Sequence, residues 1–277
     1  MRRAKSALLT GLCWLAIAIA MGALLWIVVY IFANGIPHIN WNILFGPYSS
    51  DNPSMRFAIV TTIVLIFLSL LIAGPLGLGC AVYLCEYAKK GSRLVKIIRL
   101  ATETLAGIPS IIYGLFGALF FGTALHMGYS LLAGILTISI MILPTIIRTA
   151  EESILSVPDL YREGSFGLGA GKLRTVMRIV LPSAARGILS ALVLSTGRII
   201  GETAALLFTL GSVAKMPQTL MDSSRTLAVH MYISTRDGGM EGRNVAFVAG
   251  VTLLVLVTAI NLLTKYISKK AGKFGEN

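Results

Sequence analysis

Long runs of uncharged, mostly apolar residues alternate with short polar segments along the chain. The runs cover residues 8–34, 57–85, 105–147, 187–214 (interrupted by Arg198 and Glu202) and 245–264. About 20 apolar residues in a helix cross a hydrocarbon core of about 30 Å. The third run is long enough for two crossings, and a polar break at 122–128 divides it. The pattern therefore predicts six transmembrane helices, at about 8–33, 57–85, 100–122, 129–148, 187–211 and 245–265.

Composition supports a membrane protein built from helices. Of the 277 residues, 56% are hydrophobic and 13% are charged, whereas an ordinary soluble domain has about 25% charged residues. This composition excludes a soluble, disordered or fibrous protein. We expect an all-α polytopic membrane protein whose single transmembrane domain covers residues 1–277.

The first apolar run has the start of a signal peptide, because Arg2, Arg3 and Lys5 precede it. The apolar part of a signal peptide is usually about 7–15 residues long, and this run continues to Ala33. We therefore expect the segment to be retained as a membrane anchor.

The distribution of basic residues predicts the orientation of the helices. The formal net charge is +12, and with the N-terminus inside, 18 Lys and Arg residues fall in inside segments and five in outside segments. Arg198 alone lies within a span. By the positive-inside rule, we expect a multi-pass protein of the plasma membrane with both termini in the cytoplasm. Because this bias accounts for the net charge, we expect membrane lipid and no nucleic acid as a partner.

The residues that usually carry metal or catalytic chemistry are few and scattered. The three cysteines lie in or at the ends of predicted spans, and the three histidines lie singly in predicted outside segments. No hydrolytic constellation of His, Asp and Ser has suitable spacing. We expect no metal, no cofactor and no catalytic residue, so the protein is predicted not to be an enzyme.

The most informative polar segment, at about 156–182, lies on the predicted cytoplasmic side between spans four and five. Glycines at 167, 169 and 171 can separate two short helices, and Pro182 is expected to stop the second one. The glycines and Lys172 resemble a phosphate-binding loop only superficially. That motif needs four residues between its glycines and Ser or Thr after the lysine, and Leu173 follows Lys172 here.

The same segment resembles the cytoplasmic "EAA" signature of ABC importer permeases. That signature is Glu, two small residues, three of any kind, Gly, nine of any kind, then Ile, any residue, Leu and Pro. The matching residues, all at the family's spacing, are Glu163, Gly164, Ser165, Gly169, Ile179, Leu181 and Pro182. The resemblance implies a coupling helix that fits into a cleft of a separate ATPase subunit. With Arg162, these residues form the expected ATPase coupling site.

Three segments, 105–117, 162–169 and 197–205, resemble the permeases of the bacterial phosphate-specific ABC importer. The length and the short first loop are more similar to its A-type subunit. The resemblance implies the type I importer permease architecture with six helices and a role in moving inorganic phosphate into the cytoplasm. It also implies three kinds of partner: a second, homologous permease, a pair of ATP-binding subunits and an extracytoplasmic phosphate-binding protein.

Two charges lie deep within the fifth predicted span. At 1.5 Å per residue, Arg198 and Glu202 lie about 16 and 22 Å into the hydrocarbon core, and their spacing of four places them on one helical face. We predict that Arg198 lines the substrate pathway, because its planar guanidinium suits the oxygens of phosphate, and that Glu202 orients it. The alternative is a self-neutralising pair that only holds helices together.

Two further interpretations stay open at this stage. The spacing of apolar residues between Leu220 and Met231 predicts an amphipathic helix that either lies flat on the bilayer or forms an outer gate. The substrate could also be another solute, such as molybdate, sulfate or an amino acid. An ion-driven secondary transporter is a less favoured alternative, because the chain shows no obvious internal repeat.

Overall fold

The computed structural model of the protein describes residues 2–49, 52–89 and 91–272, and every regular element within these ranges is helical. The α-helices are α1 (Arg2–Gly35), α2 (Trp41–Phe45), α3 (Arg56–Val82), α4 (Arg93–Ala106), α5 (Ser110–Gly117), α6 (Leu131–Leu155), α7 (Asp159–Gly167), α8 (Lys172–Thr175), α9 (Leu181–Ile200), α10 (Ala204–Thr209), α11 (Leu227–Asp237) and α12 (Gly239–Gly272). Wider π-helical turns follow α3, α5 and α8, at Tyr83–Tyr87, Ala118–Ala124 and Val176–Val180. The expected all-α fold is confirmed.

Within the described residues, five helical segments are long and apolar enough to cross a membrane. They are Leu9–His38, Arg56–Tyr87, Leu131–Leu155, Lys172–Ile200 and Gly239–Thr264. A sixth crossing is formed if α4 and α5 are counted together as one broken span. We call the end of the bundle that carries residues 156–182 the loop end.

The third predicted span is not the single helix that we expected at 100–122. Helix α4 and the segment Ser110–Ala124 meet at an angle of 103°. The reason is local: Pro109 lacks a backbone N–H and disfavours helical geometry in the residue before it. The Tyr113 hydroxyl donates a hydrogen bond to the Leu105 carbonyl at 2.8 Å and holds the corner.

The fifth predicted span also differs, at both of its ends. Pro182 does not stop a helix but lies at the start of α9, directly after the π-helical turn Val176–Val180, where the α-helical hydrogen-bond pattern is already interrupted. The helical segment therefore begins at Lys172 and runs to Ile200. Residues 201–203 then interrupt it before α10, so the single helix expected at 187–211 is broken.

Helix α6 forms the centre of the bundle, with α3 and α9 packed against it. Its core-facing residues Ile135, Ile138, Met141 and Ile142 are fully buried. By contrast, α1 is exposed along most of its length and packs mainly against α12. The core thus lies around α6, and α1 is a peripheral helix.

The segment between α10 and α11 lies at the end opposite the loop end and is fastened to α3. The Thr61 and Ser224 hydroxyls are 2.9 Å apart, and the Leu227 N–H donates to the Thr62 hydroxyl at 2.9 Å. The amphipathic helix that we expected to begin at Leu220 instead begins at Leu227. Residues 211–226 are non-helical because their main chain bonds to other elements, for example through the Leu220 carbonyl to the N–H of Leu132 in α6.

Two buried basic side chains lie close together here: Arg225, near the end of this segment, and His230, in the first turns of α11. The Arg225 guanidinium carbon is 5.5 Å from the centre of the Phe57 ring, and the His230 ring meets the same phenyl ring edge to face at 5.5 Å. Burial, with a smaller contribution from the Arg225 charge, lowers the pKa of His230 to about 3. His230 is therefore neutral at physiological pH.

This lowered pKa predicts an acid-dependent loss of stability. In the unfolded chain His230 takes up a proton near pH 6.5, which the folded chain resists until about pH 3, so unfolding becomes easier as pH falls between these values. We expect about 1.4 kcal/mol for each pH unit within this window. In detergent, the unfolding midpoint of His230→Gln should fall less between pH 7 and pH 4.5 than that of the unmodified protein. The exposed His38→Gln serves as the control, and equal slopes for all three proteins would contradict the assignment.

Candidate functional site

Arg198 lies near the end of α9, beside the middle of α6. Its Nη1 is 3.5 Å from the Thr145 hydroxyl, which is the limit of a hydrogen bond. The side chain is half-buried and lines a cavity of about 550 Å³ together with Thr145, Gly197 and Asn261. No carboxylate in the described part of the chain lies within 4 Å of its guanidinium.

Glu202 does not pair with Arg198, contrary to the expected arrangement on one helical face. The helix ends at Ile200, so the spacing of four no longer brings the two side chains together. Instead, Glu202 is buried, and its Oε1 accepts a hydrogen bond from the Ala205 N–H at 3.0 Å. The carboxylate thus caps the first turn of α10, where helical N–H groups have no partner within the helix.

The absence of a counter-charge gives the cavity a positive character. An arginine in the middle of a membrane helix costs about 2.5–3.5 kcal/mol on insertion scales, and such residues usually face a water-filled cavity or a partner. The neighbouring groups Thr145 and Asn261 are polar but neutral. A cavity of this kind suits an oxyanion, because the guanidinium offers a planar fork of donors.

The segment at the loop end forms the expected helix, glycine turn and helix. Gly169 adopts a φ of +79°, a left-handed conformation that residues with a Cβ resist. Across the turn, the Ser165 hydroxyl is 2.8 Å from the Thr175 hydroxyl, and both residues are buried. The turn therefore has a defined geometry that joins α7 to α8.

Arg162 anchors α7 to the core. Its Nε and Nη2 both lie 2.9 Å from the Glu86 Oε1, which follows α3. Its Nη1 donates to the Val157 carbonyl at 2.7 Å, and Nη2 donates to the Ile154 carbonyl at 3.0 Å, at the end of α6. Only 14% of the Arg162 side chain and 7% of the Glu86 side chain are exposed. The guanidinium is therefore directed into the protein and away from the surface of the loop.

Sequence reasoning missed Glu86, although it stands out as the first acidic residue after the second apolar run. The separation of 76 residues between Glu86 and Arg162 hides their pairing. Breaking such a buried pair by removing one partner costs about 3–5 kcal/mol, because the other charge stays buried without compensation. Glu86 is thus part of the structural support of α7.

The outward surface of the loop carries large apolar side chains among exposed charged ones. Glu163 and Gly164 are exposed, Ile179 and Leu181 are half-buried, and Pro182 is exposed. The large apolar side chains exposed here are Leu160, Tyr161, Phe166, Leu168, Leu173 and Met177. An apolar patch of this kind marks an interaction surface. Ile179, Leu181 and Pro182 lie on the connection into α9, whereas Glu163, Gly164 and Ser165 lie on α7.

Within the residues that the structure describes, no group of three or more His, Cys, Asp or Glu side chains could hold a metal ion. The three cysteines at 13, 80 and 85 are free thiols.

Residues 73–273 match the family described as the binding-protein-dependent transport system inner membrane component. The probable ABC transporter permease protein YqgI of Bacillus subtilis (strain 168) is 29% identical, and the alignment covers 96% of each chain. The phosphate transport system permease protein PstA 1 of Mycobacterium tuberculosis (strain CDC 1551 / Oshkosh) is 30% identical, with 96% of this chain and 89% of that protein covered.

A solved structure shares the fold. It is the crystal structure of a bacterial alginate ABC transporter in complex with an alginate pentasaccharide-bound periplasmic protein, with a TM-score of 0.67 at 18% identity. The match covers 94% of this chain and 96% of that chain. The expected importer permease architecture is therefore confirmed, and an ion-driven secondary transporter is not favoured. The chain belongs to the inner-membrane permeases of binding-protein-dependent transport systems, and within them it is similar to the PstA permeases.

Proposed function

We propose that the chain is the A-type permease subunit of an ABC importer that moves inorganic phosphate into the cytoplasm. The observation that carries this proposal is the uncompensated charge of Arg198 beside a cavity next to the middle of α6. The relative named PstA 1 is a phosphate transport permease, which favours phosphate over other oxyanions.

Arg198 is suited to a transient contact with the anion. Its weak contact with Thr145 leaves the guanidinium donors available to the oxygens of phosphate. Glu202, engaged as the cap of α10, does not compete for the guanidinium. A single cationic group among neutral ones attracts a passing anion without the several charged contacts that would trap it.

The loop at 156–182 is suited to receive the motion of an ATPase. Its apolar surface supplies a contact area, and Arg162 connects α7 to the ends of α3 and α6. A displacement of α7 is therefore transmitted to the two helices that form the core. ATP binding and hydrolysis belong, in this proposal, to a pair of separate subunits.

Two other partners complete the proposed complex. A second, homologous permease would cover the open side of the Arg198 cavity, which lies between α6, α9 and α12. An extracytoplasmic phosphate-binding protein would deliver the anion at the end opposite the loop end. Both proposals rest on the family relationship and on the exposure of these surfaces.

The pathway role is tested by removing each charge separately and together. Arg198→Gln should reduce phosphate uptake by at least about tenfold, with or without Glu202→Gln, because the anion loses its donor fork. Glu202→Gln alone should have a milder effect, since a glutamine oxygen still caps α10. Uptake is measured at equal membrane abundance of the assembled complex, and Arg198→Lys tests the need for the fork at constant charge.

Wild-type uptake in the double variant would exclude Arg198 from the pathway. Uptake of sulfate or molybdate in place of phosphate would assign the same cavity to another oxyanion.

The coupling role is tested at Gly169. No atom lies within 4 Å of a Cβ built there, so Gly169→Val strains only the backbone, at about 1–3 kcal/mol. We expect the variant to insert in the membrane but to lose ATP-driven uptake and to retain less ATPase on copurification. Gly169→Asn should keep both functions, because asparagine tolerates the left-handed conformation. Normal uptake by Gly169→Val would mean that the loop does not couple.

The proposed orientation places the loop end and both termini in the cytoplasm. In a variant without the three native cysteines, a cysteine at Ser49 or Asp237 should react with a membrane-impermeant thiol reagent added to intact cells. A cysteine at Lys172 should react only after the membrane is opened. All three positions are exposed, so labelling at Lys172 from outside would reverse the orientation.

A further inference from the structure

A second cavity extends the Arg198 cavity towards the loop end. It has a volume of about 590 Å³, and both cavities are lined by Val193, Leu194 and Asn261. The second cavity adds polar groups from Thr149 of α6 and from Ser190 and Thr264. Together the two cavities form a continuous seam between α6, α9 and α12, which is mostly apolar and carries these polar groups at intervals.

Asn261 is the one polar side chain that lines both parts of this seam. It lies on α12 in an otherwise largely apolar stretch, residues 255–263, and it is exposed. Among the described residues, its carboxamide has no hydrogen-bond partner, whereas the hydroxyls of nearby Thr258 and Thr264 donate to carbonyls of their own helix. An exposed polar group without a partner in an apolar stretch of a membrane helix usually faces a partner protein or a pathway.

The polar character changes along the seam. At one end, the Arg198 guanidinium offers hydrogen-bond donors only. Farther towards the loop end, the Ser190 and Thr264 hydroxyls donate to the Arg186 and Ile260 carbonyls. Their lone pairs then remain available, so they offer acceptors to the cavity. Asn261 lies between the two regions, and its carboxamide offers both two donors and an acceptor.

We propose that Asn261 is a second substrate-contacting residue, which accepts a hydrogen bond from a protonated oxygen of the oxyanion while Arg198 donates to the unprotonated oxygens. The chemical class that fits is an oxyanion that retains a proton at neutral pH, as phosphate does. A fully deprotonated anion such as sulfate can use only the donors of the carboxamide, whereas a protonated oxyanion can also use its acceptor. This inference rests on the proposed function and adds a substrate-contacting residue to it.

The first test asks whether position 261 lies in a water-filled pathway. In the assembled complex without native cysteines, Asn261→Cys should react with a small charged thiol reagent, and excess phosphate should slow the reaction. Leu262→Cys is the matched control: Leu262 is also exposed on the same helix but lines neither cavity. It should face lipid and stay unreactive. If Asn261→Cys does not react, Asn261 contacts another helix or lipid, and the inference is overturned.

The second test separates capture of phosphate from its passage. Asn261→Leu should lower the maximal rate of phosphate uptake by about tenfold, with the half-saturating phosphate concentration and the amount of assembled complex unchanged. Asn261→Asp should lower the rate further, because a fixed negative charge repels the anion. Asn261→Gln should retain most of the rate, and Leu262→Ala should match the unmodified complex.

These outcomes distinguish the inference from the proposed function. Unchanged uptake in Asn261→Leu, in a complex that Arg198→Gln inactivates, would overturn the role of Asn261 and leave phosphate import intact. Failure of the unmodified complex to take up phosphate would overturn the proposed function itself.

Discussion

The close approach of helices to α6 is the constraint on which the rest of the fold depends. In a membrane, lipid tails are as apolar as leucine side chains, so helices associate through tight packing and hydrogen bonds more than through burial of apolar area. Glycines supply this tight packing. A Cβ built at Gly77 of α3 would lie 2.6 Å from the Ile146 Cγ2, and one at Gly117 would overlap the Thr137 side chain. Larger residues at these two positions would push α3 and α5 away from α6 and open the core.

This packing also explains why broken helices are tolerated at membrane depth. Both interruptions, at 107–109 and at 201–203, end in short helices that pack on each other: α5 lies against α10, where Gly114 faces the Ala205 backbone. At each break, a polar side chain forms a hydrogen bond with the backbone. The Tyr113 hydroxyl donates to the Leu105 carbonyl at the first break, and the Glu202 carboxylate accepts from the Ala205 N–H at the second. Non-helical backbone within a membrane occurs where protein groups of this kind satisfy it.

The sequence predicted the class of the fold and the location of the loop, because apolar run length and charge bias depend on the bilayer and not on tertiary contacts. It did not predict the pairing of elements. The spacing of Arg198 and Glu202 indicated one helical face, but whether a helix continues through a Gly-Glu-Thr sequence depends on what covers its end. The contact between Arg162 and Glu86 could not be predicted from the sequence for the same reason. Only the packing of α7 against the core brings together two residues so far apart in the chain. Asn261 could have been noticed in the sequence, because it is a carboxamide within an apolar run. Its relation to Arg198 becomes visible only in the structure, where both residues line the same cavity.

The continuous segment from Lys172 to Ile200 has a mechanical consequence. Lys172, which directly follows the glycine turn, lies at one end, and Arg198 lies near the other. The two residues are about 39 Å apart at 1.5 Å per residue. A lever of that length converts a small tilt into a large displacement: about 5° at the loop end moves the guanidinium by about 3 Å. That distance equals a full hydrogen-bond length, enough to break one set of contacts with an anion and to form another. If Arg198 contacts the anion as proposed, the same helix therefore also serves as the lever that releases it.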